Sequence, residues 1–527
     1  MQLTSRDLNA ALWAAADEMR KVMSADVYKD YLLGLVFYKA LSDKMLVEAY
    51  DLLTDEKPES LEAAQEAYET AAADPDTWEE LEAEMTARFG CAILPQHTFT
   101  AFYEQINNRT FMLRDLQQAF REVETAKGDV YEGLFEDFDV DSKDLGKTVD
   151  KRNDMIASVI KALAHIDFNL YDEDALGDAY EYLISQFASE SGKKAGEFYT
   201  PQSVSELIAS IVTHGQASKY GFTVYDPTCG SGSLLLQIRK FVENAGGVDN
   251  QAAVHYFGQE LKNQTYNLAR MNMMLHRVPG SHQHLRNGDT LDADWPTDEP
   301  TNFDAVVMNP PYSQKYDARE GLLSDPRFAP YKKLPPASKA DFAFLIHGFY
   351  HLKETGTMGI VLPHGVLFRG GAEGVIRQRL LETGSIYAVI GLPAGIFFST
   401  GIPTCVLILK KKNPSRDVLF IDASKDFKKE RAKNYLMPEH LKKIFQAYLD
   451  RKDVEKYAHL ASFDEIREND FNLNIPRYVD TSEEEEEIDL QAVFRELAEI
   501  EREEAEVDRK LAGFFAELGI ELSGEIK

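Results

Sequence analysis

Between Gly196 and residue 411, short apolar runs of strand length alternate with helical patterns, and this alternation constrains the fold more than any other feature. The apolar runs cover residues 222–227, 255–260, 303–311, 357–363, 386–393 and 404–411, and the helical patterns cover residues 205–213, 233–245, 263–276 and 372–383. Nearly all-apolar strands that alternate with helices indicate a parallel sheet covered on both faces. Ligands of such sheets bind beyond the carboxyl ends of the strands. We therefore expect an α/β domain with its site at that edge.

A glycine-rich stretch, YDPTCGSGS, follows the first strand at residues 225–233. Gly230 and Gly232 allow a tight turn and a close approach of a ligand, and the next helix begins there with free N–H groups. The stretch lacks the lysine of a P-loop, and Leu235 stands where a dinucleotide fingerprint has its third glycine. Asp226 at the strand end would repel a pyrophosphate but suits a positive amino or sulfonium group. S-adenosylmethionine carries both groups; a tight turn without a ligand is the alternative.

Two further acids stand at the ends of the next two expected strands. Glu260 ends the run at residues 255–260 and suits the two hydroxyls of a ribose, while Asp289 suits an adenine amino group. Each acid alone would be interpreted as a cap or turn residue. Three acids at three successive strand ends favour a nucleoside site.

The residues Asn309-Pro310-Pro311-Tyr312 end the strand run at 303–311. The two prolines fix an extended turn and remove two N–H donors, which leaves the Asn309 side-chain oxygen and the Pro310 carbonyl as acceptors. A planar amino group stacked on Tyr312 could donate both hydrogens to these oxygens, which bends its nitrogen toward sp³ and exposes the lone pair. In isolation these residues would indicate only a proline-rich loop. After a cofactor loop they indicate chemistry on an amino group.

The order of these motifs resembles that of the S-adenosylmethionine-dependent amino methyltransferases of DNA, and asparagine at the first position of NPPY favours adenine N6. The segments GEFYTP (196–201), IGLPAGIFFSTGIPTCVLIL (390–409) and NDFNLNIPRYVD (469–480) resemble the modification (methyltransferase) subunit of a type I restriction-modification system. The resemblance covers about residues 190–480. It implies a Rossmann-like methyltransferase domain over residues 166–480, an all-helical N-terminal domain over 1–165 and an acidic, partner-binding C-terminal helix over 481–527.

The resemblance also implies a role for each motif residue. The expected contacts to S-adenosylmethionine are Glu197, Phe198, Tyr199, Thr200, Asp226, Thr228, Gly230, Ser231, Gly232, Glu260 and Asp289. The expected catalytic residues are Asn309, Pro310, Pro311 and Tyr312, with Phe397 or Phe398 stacked on the other face of a flipped adenine. One in-line displacement of the methyl group needs no metal, and none is expected.

The charge distribution bears on the partners. A net charge of -31 on its own argues against a protein that grips DNA by itself. The charge is -18 over residues 1–150, -11 over residues 481–527 and only -2 between them. We therefore expect DNA as the substrate, with most of the grip supplied by a separate specificity subunit. The resemblance also implies that the complex contains a second copy of this chain. Cleavage of DNA would need a separate motor and nuclease subunit, because the chain has no P-loop.

Residues 410–443 hold 11 basic and 5 acidic side chains. A solvated surface and a contact to DNA or to an acidic partner both remain open for this stretch. Cys91, Cys229 and Cys405 lie far apart, which favours a reduced cytoplasmic compartment. The start of the chain has no signal-peptide pattern, and no stretch is long and apolar enough for a membrane span.

Both ends of the chain show helical periodicity. After a cap at Ser5, an apolar stripe predicts one helix, and a second is predicted over residues 26–53. Near the other end, a heptad stripe predicts a long helix that faces the body or, by preference, a partner. The first stripe comprises Leu8, Leu12, Ala15, Met19 and Val22, and the second comprises Val493, Leu497, Ile500, Val507, Leu511, Phe514 and Leu518.

Two other functions compete with methylation of adenine in DNA. A methyltransferase acting on a protein glutamine amide also uses NPPY, but the GEFYTP and NLNIPRY segments argue against it. A scaffold that binds S-adenosylmethionine without catalysis is the other, and the intact Asn309-Pro310-Pro311-Tyr312 argues against that.

Overall fold

The computed structural model of the chain describes residues 5–126, 128, 130–171, 174–191, 199–216, 219–243, 254–292, 302–397, 401–430, 433–481 and 490–519. The chain divides into two units, Met1–Val479 and Asp480–Lys527. Among the described helices, none combines the length and apolar character that a membrane crossing requires.

The first unit begins with helices and continues as an α/β structure. Its helices are α1 (Ser5–Ala15), α2 (Asp17–Arg20), α3 (Ala25–Thr54), α4 (Leu61–Ala72), α5 (Pro75–Phe89), α6 (Phe99–Asn107), α7 (Leu113–Glu124), α8 (Val149–Ala164), α9 (Ala175–Ser191), α10 (Gln202–Thr213), α11 (Ser233–Glu243), α12 (Asn263–Leu275), α13 (Asp341–Tyr350), α14 (Gly365–Phe368), α15 (Gly371–Glu382), α16 (Pro438–Asp450) and α17 (Phe463–Glu468). Its strands are β1 (Phe222–Asp226), β2 (Val254–Glu260), β3 (Gln283–Asn287), β4 (Phe303–Met308), β5 (Leu352–Pro363), β6 (Ile386–Gly391), β7 (Thr404–Lys410), β8 (Val418–Asp422), β9 (Lys428–Glu430), β10 (Lys433–Tyr435) and β11 (Ala458–Ala461).

One sheet organises the α/β part, in the order β11-β8-β6-β7-β5-β4-β1-β2-β3. The prediction of an α/β fold with a central sheet is confirmed, and every apolar run named above contains a strand of it. The apolar content has a simple cause, since helices cover both faces. All six residues of β4 are buried, and four of the five in β1.

The expectation of an all-parallel sheet is wrong at two strands. β7 runs antiparallel to both of its neighbours, β5 and β6, and β11 runs antiparallel to β8. A parallel crossover needs a connection of about a dozen or more residues, usually a helix. Residues 392–403 between β6 and β7 only just reach that length, and the described ones, 392–397 and 401–403, form no helix. β7 pairs directly with β6 as an antiparallel neighbour and lies between β5 and β6.

The N-terminal helices bury the predicted stripe except at its end. Leu8, Leu12 and Met19 have no exposed surface, whereas Val22 is 60% exposed because α2 has already ended at Arg20. The second predicted helix is α3, which runs one residue further at each end than the expected 26–53.

The three cysteines are free and buried inside the first unit. Burial raises the pKa of the Cys91 thiol to about 12 and also raises the pKa of the thiols of Cys229 and Cys405.

The second unit contains one described helix, α18 (Leu490–Glu517). It carries the predicted heptad stripe, and the stripe is exposed. The exposed fractions range from 42% at Leu511 to 71% at Leu518.

Candidate functional site

The carboxyl edge of the sheet brings three predicted site residues together. Asp226 ends β1, Glu260 ends β2 and Asn309 follows β4. These strands are adjacent and parallel, with β1 in the middle, so their ends meet at the same edge. These motif residues therefore lie at one edge of the sheet because their strands are parallel neighbours.

The glycine-rich loop after β1 is held in a defined shape. Gly230 and Gly232 have φ values of 56° and 78°, in the left-handed region that favours glycine. A Cβ atom at Gly232 would lie 3.3 Å from the Met273 side chain. The Asn272 amide donates to the Ser231 carbonyl over 2.9 Å and ties the loop to α12. Contacts within the protein therefore hold the loop in this shape.

Two buried acids surround this loop. Asp226 is 1% exposed, and burial raises its pKa to about 8. The nearby Glu260 also raises this pKa, whereas the hydrogen bond from the Thr228 N–H lowers it. Burial also raises the pKa of Glu260, although its carboxylate accepts the N–H groups of Gly230 (3.2 Å) and Lys262 (2.9 Å). A positive group beside these acids would favour their ionised forms. The site therefore suits a cationic ligand.

Asn309 links this cleft to the proline-rich turn. Its Nδ2 donates to Thr200 Oγ1 over 3.1 Å, and its Oδ1 accepts the Tyr312 hydroxyl over 2.8 Å. Pro310 is buried, and burial raises the pKa of Tyr312 well above its ordinary value. The Phe397 ring stands edge-on to that of Tyr312, with centroids 6.4 Å apart and an interplanar angle of 77°. Asn309, Tyr312 and Phe397 thus lie close together at the proline-rich turn.

The cleft collects many of the predicted residues. It is lined by Tyr199, Thr200, Asp226, Thr228, Cys229, Gly230, Ser231, Ser233, Leu234 and Asn309. Gly232, Glu260, Pro310, Pro311, Tyr312 and Phe397 are not in that lining, although Glu260 bonds to Gly230 and Tyr312 to Asn309. Glu197, Phe198 and Phe398 lie outside the described residues.

Asp289 stands apart from the residues of the cleft. It is exposed, and its carboxylate accepts the Leu291 N–H over 2.9 Å in a local turn. Its predicted contact to an adenine amino group remains a prediction.

Sequence reasoning missed a buried network behind the cleft. Arg327, 2% exposed, donates to the Thr290 carbonyl (3.0 Å) and to Nδ1 of His347 (3.1 Å), and pairs with Asp325. Since arginine only donates, Nε2 of the neutral His347 carries the proton and donates to the Tyr225 hydroxyl, 2.8 Å away. Burial lowers the pKa of His347 well below its ordinary value. No sequence pattern marks this network, because its members are scattered along the chain.

Some of the basic side chains in residues 410–443 make contacts within the protein. Lys410 lies 4.2 Å from the ring centroid of Tyr387, and burial lowers its pKa. Lys443 pairs with Asp426 at 2.8 Å. The net positive charge of the stretch thus overstates what it presents to DNA.

Family models match almost the whole chain. The model described as N-6 DNA Methylase matches residues 171–487, and the model described as HsdM N-terminal domain matches residues 8–163. Together the two matches cover the α/β part and the helical N-terminal part.

Curated proteins and solved structures give the same result. The chain is 33% identical to the type I restriction enzyme MpnII methylase subunit of Mycoplasma pneumoniae, over 97% of this chain and 96% of that protein. It is 34% identical to the MjaVII methylase subunit of Methanocaldococcus jannaschii, over 68% of this chain and 62% of that protein. A crystal structure of the type I restriction-modification methyltransferase subunit from Streptococcus thermophilus superposes with a TM-score of 0.87 at 56% identity, covering 91% of this chain and 100% of that one.

Proposed function

The chain belongs to the N-6 DNA methylase family, as a methyltransferase subunit of a type I restriction-modification system, and we propose that it transfers a methyl group from S-adenosylmethionine to N6 of a flipped-out adenine. One observation carries the proposal. The Asn309 amide contacts Thr200 in the glycine-rich cleft on one side and Tyr312 on the other. A single side chain therefore joins the cofactor cleft to the expected position of the base.

The residues of the cleft fit S-adenosylmethionine. The buried Asp226 suits its positive amino group, and the left-handed Gly230 and Gly232 leave room for close approach to the backbone. Glu260 keeps free lone pairs for ribose hydroxyls after accepting two backbone N–H groups. When bound, S-adenosylmethionine supplies a methyl group on a positively charged sulfur.

The proline-rich turn would act on the amino group of the base. Asn309 Oδ1 and the Pro310 carbonyl would accept its two hydrogens, which withdraws the nitrogen lone pair from the ring and directs it toward the methyl group. Extrusion of a base from duplex DNA costs a few kcal/mol. Stacking on Tyr312 and Phe397 would offset this cost by about 1–3 kcal/mol per stacked base. Catalysis would then consist of positioning and of acceptors held in place before the reaction.

We also propose the division of labour among subunits. Residues 1–165 would form a helical domain, 166–480 the methyltransferase and 481–527 a partner-binding helix. The specificity subunit would read the DNA sequence, because residues 1–150 carry a charge of -18 and residues 481–527 a charge of -11. A second copy of this chain would complete the methyltransferase, and a restriction subunit would supply translocation and cleavage. The exposed heptad stripe of α18 supports a partner-facing role.

A reconstitution experiment tests this proposal. Transfer of a labelled methyl group to DNA is measured for the chain alone and with the specificity subunit, on DNA with and without the recognition sequence. We expect sequence-specific labelling at adenine N6 only with both subunits. Specific methylation by the chain alone, or labelling of protein instead of DNA, would contradict it. The match to a DNA methylase family already disfavours the protein-glutamine alternative.

A further inference from the structure

Three potential metal ligands converge between α9 and α12, and none of them lines the glycine-rich cleft. They are Asp178 and Glu181, one turn apart on α9, and His276, which directly follows α12. One ligand atom of each residue lies within 4.8 Å of the ligand atoms of the other two. The cluster therefore combines one imidazole with two carboxylates.

The protonation of His276 follows from its neighbour. Its Nδ1 lies 2.9 Å from the Asn272 carbonyl, which can only accept, so Nδ1 carries the proton. In the neutral ring, Nε2 is then unprotonated and carries a lone pair that can bind a metal. Imidazoles that bind metals are commonly oriented in this way, through a hydrogen bond from the other ring nitrogen to a carbonyl. His276 is only 8% exposed, so this orientation is fixed by burial as well.

Glu181 supplies a second, independent sign that a ligand is required. Its Oε1 atom is buried and has no hydrogen-bond partner among the described residues. An unpaired buried carboxylate oxygen costs free energy. The other two members of the cluster, the Asp178 carboxylate and the unprotonated Nε2 of His276, cannot donate a hydrogen bond to Glu181. Three acceptors that converge without a donor are satisfied by a cation.

The backbone also leaves room for the ring. A Cβ atom at Gly177 would lie 2.8 Å from the Cγ, Cδ2 and Nε2 atoms of His276, closer than side chains approach. Glycine at this position therefore allows the imidazole to reach the carboxylates of α9.

We propose that Asp178, Glu181 and His276 bind one divalent transition-metal ion. An imidazole nitrogen together with carboxylate oxygens suits Zn²⁺ better than Mg²⁺ or Ca²⁺, which prefer oxygen ligands alone. Asp178 is exposed, so water would complete the coordination on that side. The ion is structural and does not enter the chemistry of methyl transfer, for which no metal is expected.

The position gives the ion a consequence for the rest of the molecule. It would tie α9 to α12, and α12 is bonded to the glycine-rich loop through Asn272 and Ser231. On the other side, the Glu181 carboxylate adds to the effect of burial in raising the pKa of Tyr199, which lines the cleft. The ion would therefore clamp together the two helices that support the cleft.

The test uses the full chain with its purification tag removed and bound metal stripped by a chelator. Zn²⁺ binding is followed by calorimetry, and Co²⁺ binding by its visible absorption bands. We expect one ion per chain and a rise in melting temperature on Zn²⁺ addition. Glu181→Gln, close in size and partly exposed, should weaken binding at least about tenfold. Gly177→Ala keeps all three ligands but displaces the ring, and it should weaken binding similarly.

His284→Gln is the matched control, because it removes a histidine on β3 outside the cluster and should leave Zn²⁺ affinity unchanged. Circular dichroism checks that each variant is folded. Failure of the wild-type chain to bind one Zn²⁺, or wild-type affinity in both Glu181→Gln and Gly177→Ala, would overturn the proposal. None of these measurements depends on methyltransferase activity, so they stand whether or not the proposed function is correct.

Discussion

The hydroxyl of Tyr312 donates a hydrogen bond to Oδ1 of Asn309 over 2.8 Å. In the proposed reaction, this is the oxygen that accepts a hydrogen from the adenine amino group. An amide oxygen has two lone pairs, so one remains for the amino group while the tyrosine hydroxyl occupies the other. The ring of Tyr312 therefore favours base binding by stacking, while its hydroxyl holds the Asn309 oxygen in place.

Two substitutions separate these roles of Tyr312. Tyr312→Phe keeps the ring and removes the hydroxyl that holds the Asn309 oxygen, a hydrogen bond worth about 1 kcal/mol. We expect it to bind a flipped base as the wild type does and to transfer the methyl group up to about fivefold more slowly. Tyr312→Ala removes the stacking surface and should weaken base binding by about 1–3 kcal/mol. Fluorescence of 2-aminopurine at the target position measures flipping, and equal losses of flipping in both variants would refute the separation of the two roles.

Asn309→Ala tests the catalytic clamp. It removes one acceptor for the amino group, and we expect the rate of methyl transfer to fall by about 100-fold or more. Affinity for S-adenosylmethionine should change much less, because the proposed contacts of Asp226 and Glu260 to the cofactor are unchanged. Single-turnover labelling and calorimetry measure the two quantities. Undiminished transfer would refute the assignment of Asn309, and Asn108→Ala, at an exposed position directly after α6, serves as the control.

Asp226→Asn should stabilise the protein and weaken cofactor binding. The pKa of Asp226 is raised to about 8, above the ordinary value of about 4. Between these pH values the folded protein holds a proton that the unfolded chain has released, so wild-type stability falls as pH rises from 4 to 8. The variant should escape this loss, which amounts to about 5 kcal/mol by pH 8 at about 1.4 kcal/mol per pH unit.

Urea unfolding across that pH range measures the gain. Cofactor affinity at pH 8 should fall at least about tenfold in the same variant, since the charge that meets the amino group is lost. Asp154→Asn, at an exposed position on α8, is expected to alter neither quantity. A variant less stable than the wild type at pH 8 would show that Asp226 is ionised at lower pH than proposed.

Deletion of residues 486–527 should weaken subunit assembly. It removes the exposed stripe of α18, and full burial of one such side chain contributes about 1.5–3 kcal/mol. Mass photometry of the chain with its specificity subunit measures assembly. Leu497→Ser with Ile500→Ser is a milder test that keeps the helix, and we expect at least tenfold weaker assembly. Normal assembly after the deletion would show that the stripe faces this chain and not a partner.

The sequence predicted most of the sheet and the centre of the site. Strand periodicity and turn residues locate β1, β2 and β4, and their carboxyl ends carry the short motifs. These features are local, so a single sequence discloses them. The antiparallel course of β7 is a matter of which strands become neighbours, and an apolar run such as residues 404–411 looks the same in either direction.

Side-chain networks are harder to predict than strands. Arg327 meets His347 and Thr290 only after the fold has brought them together. The same holds for His276, whose significance depends on a carboxylate about 95 positions earlier in the chain. Local motifs therefore predict the position of the candidate site, whereas the side-chain networks around that site depend on tertiary contacts that a single sequence does not show.

The burial of all three cysteines makes the chain well suited to site-specific labelling. Thiols react as thiolates, and burial holds the pKa of Cys91, Cys229 and Cys405 above the ordinary range, so maleimide dyes at neutral pH should spare them. A single cysteine introduced at Phe514, 64% exposed on α18, would then carry the dye alone. Fluorescence from that position would follow the docking of partner subunits in real time, in a chain that keeps all its native residues elsewhere.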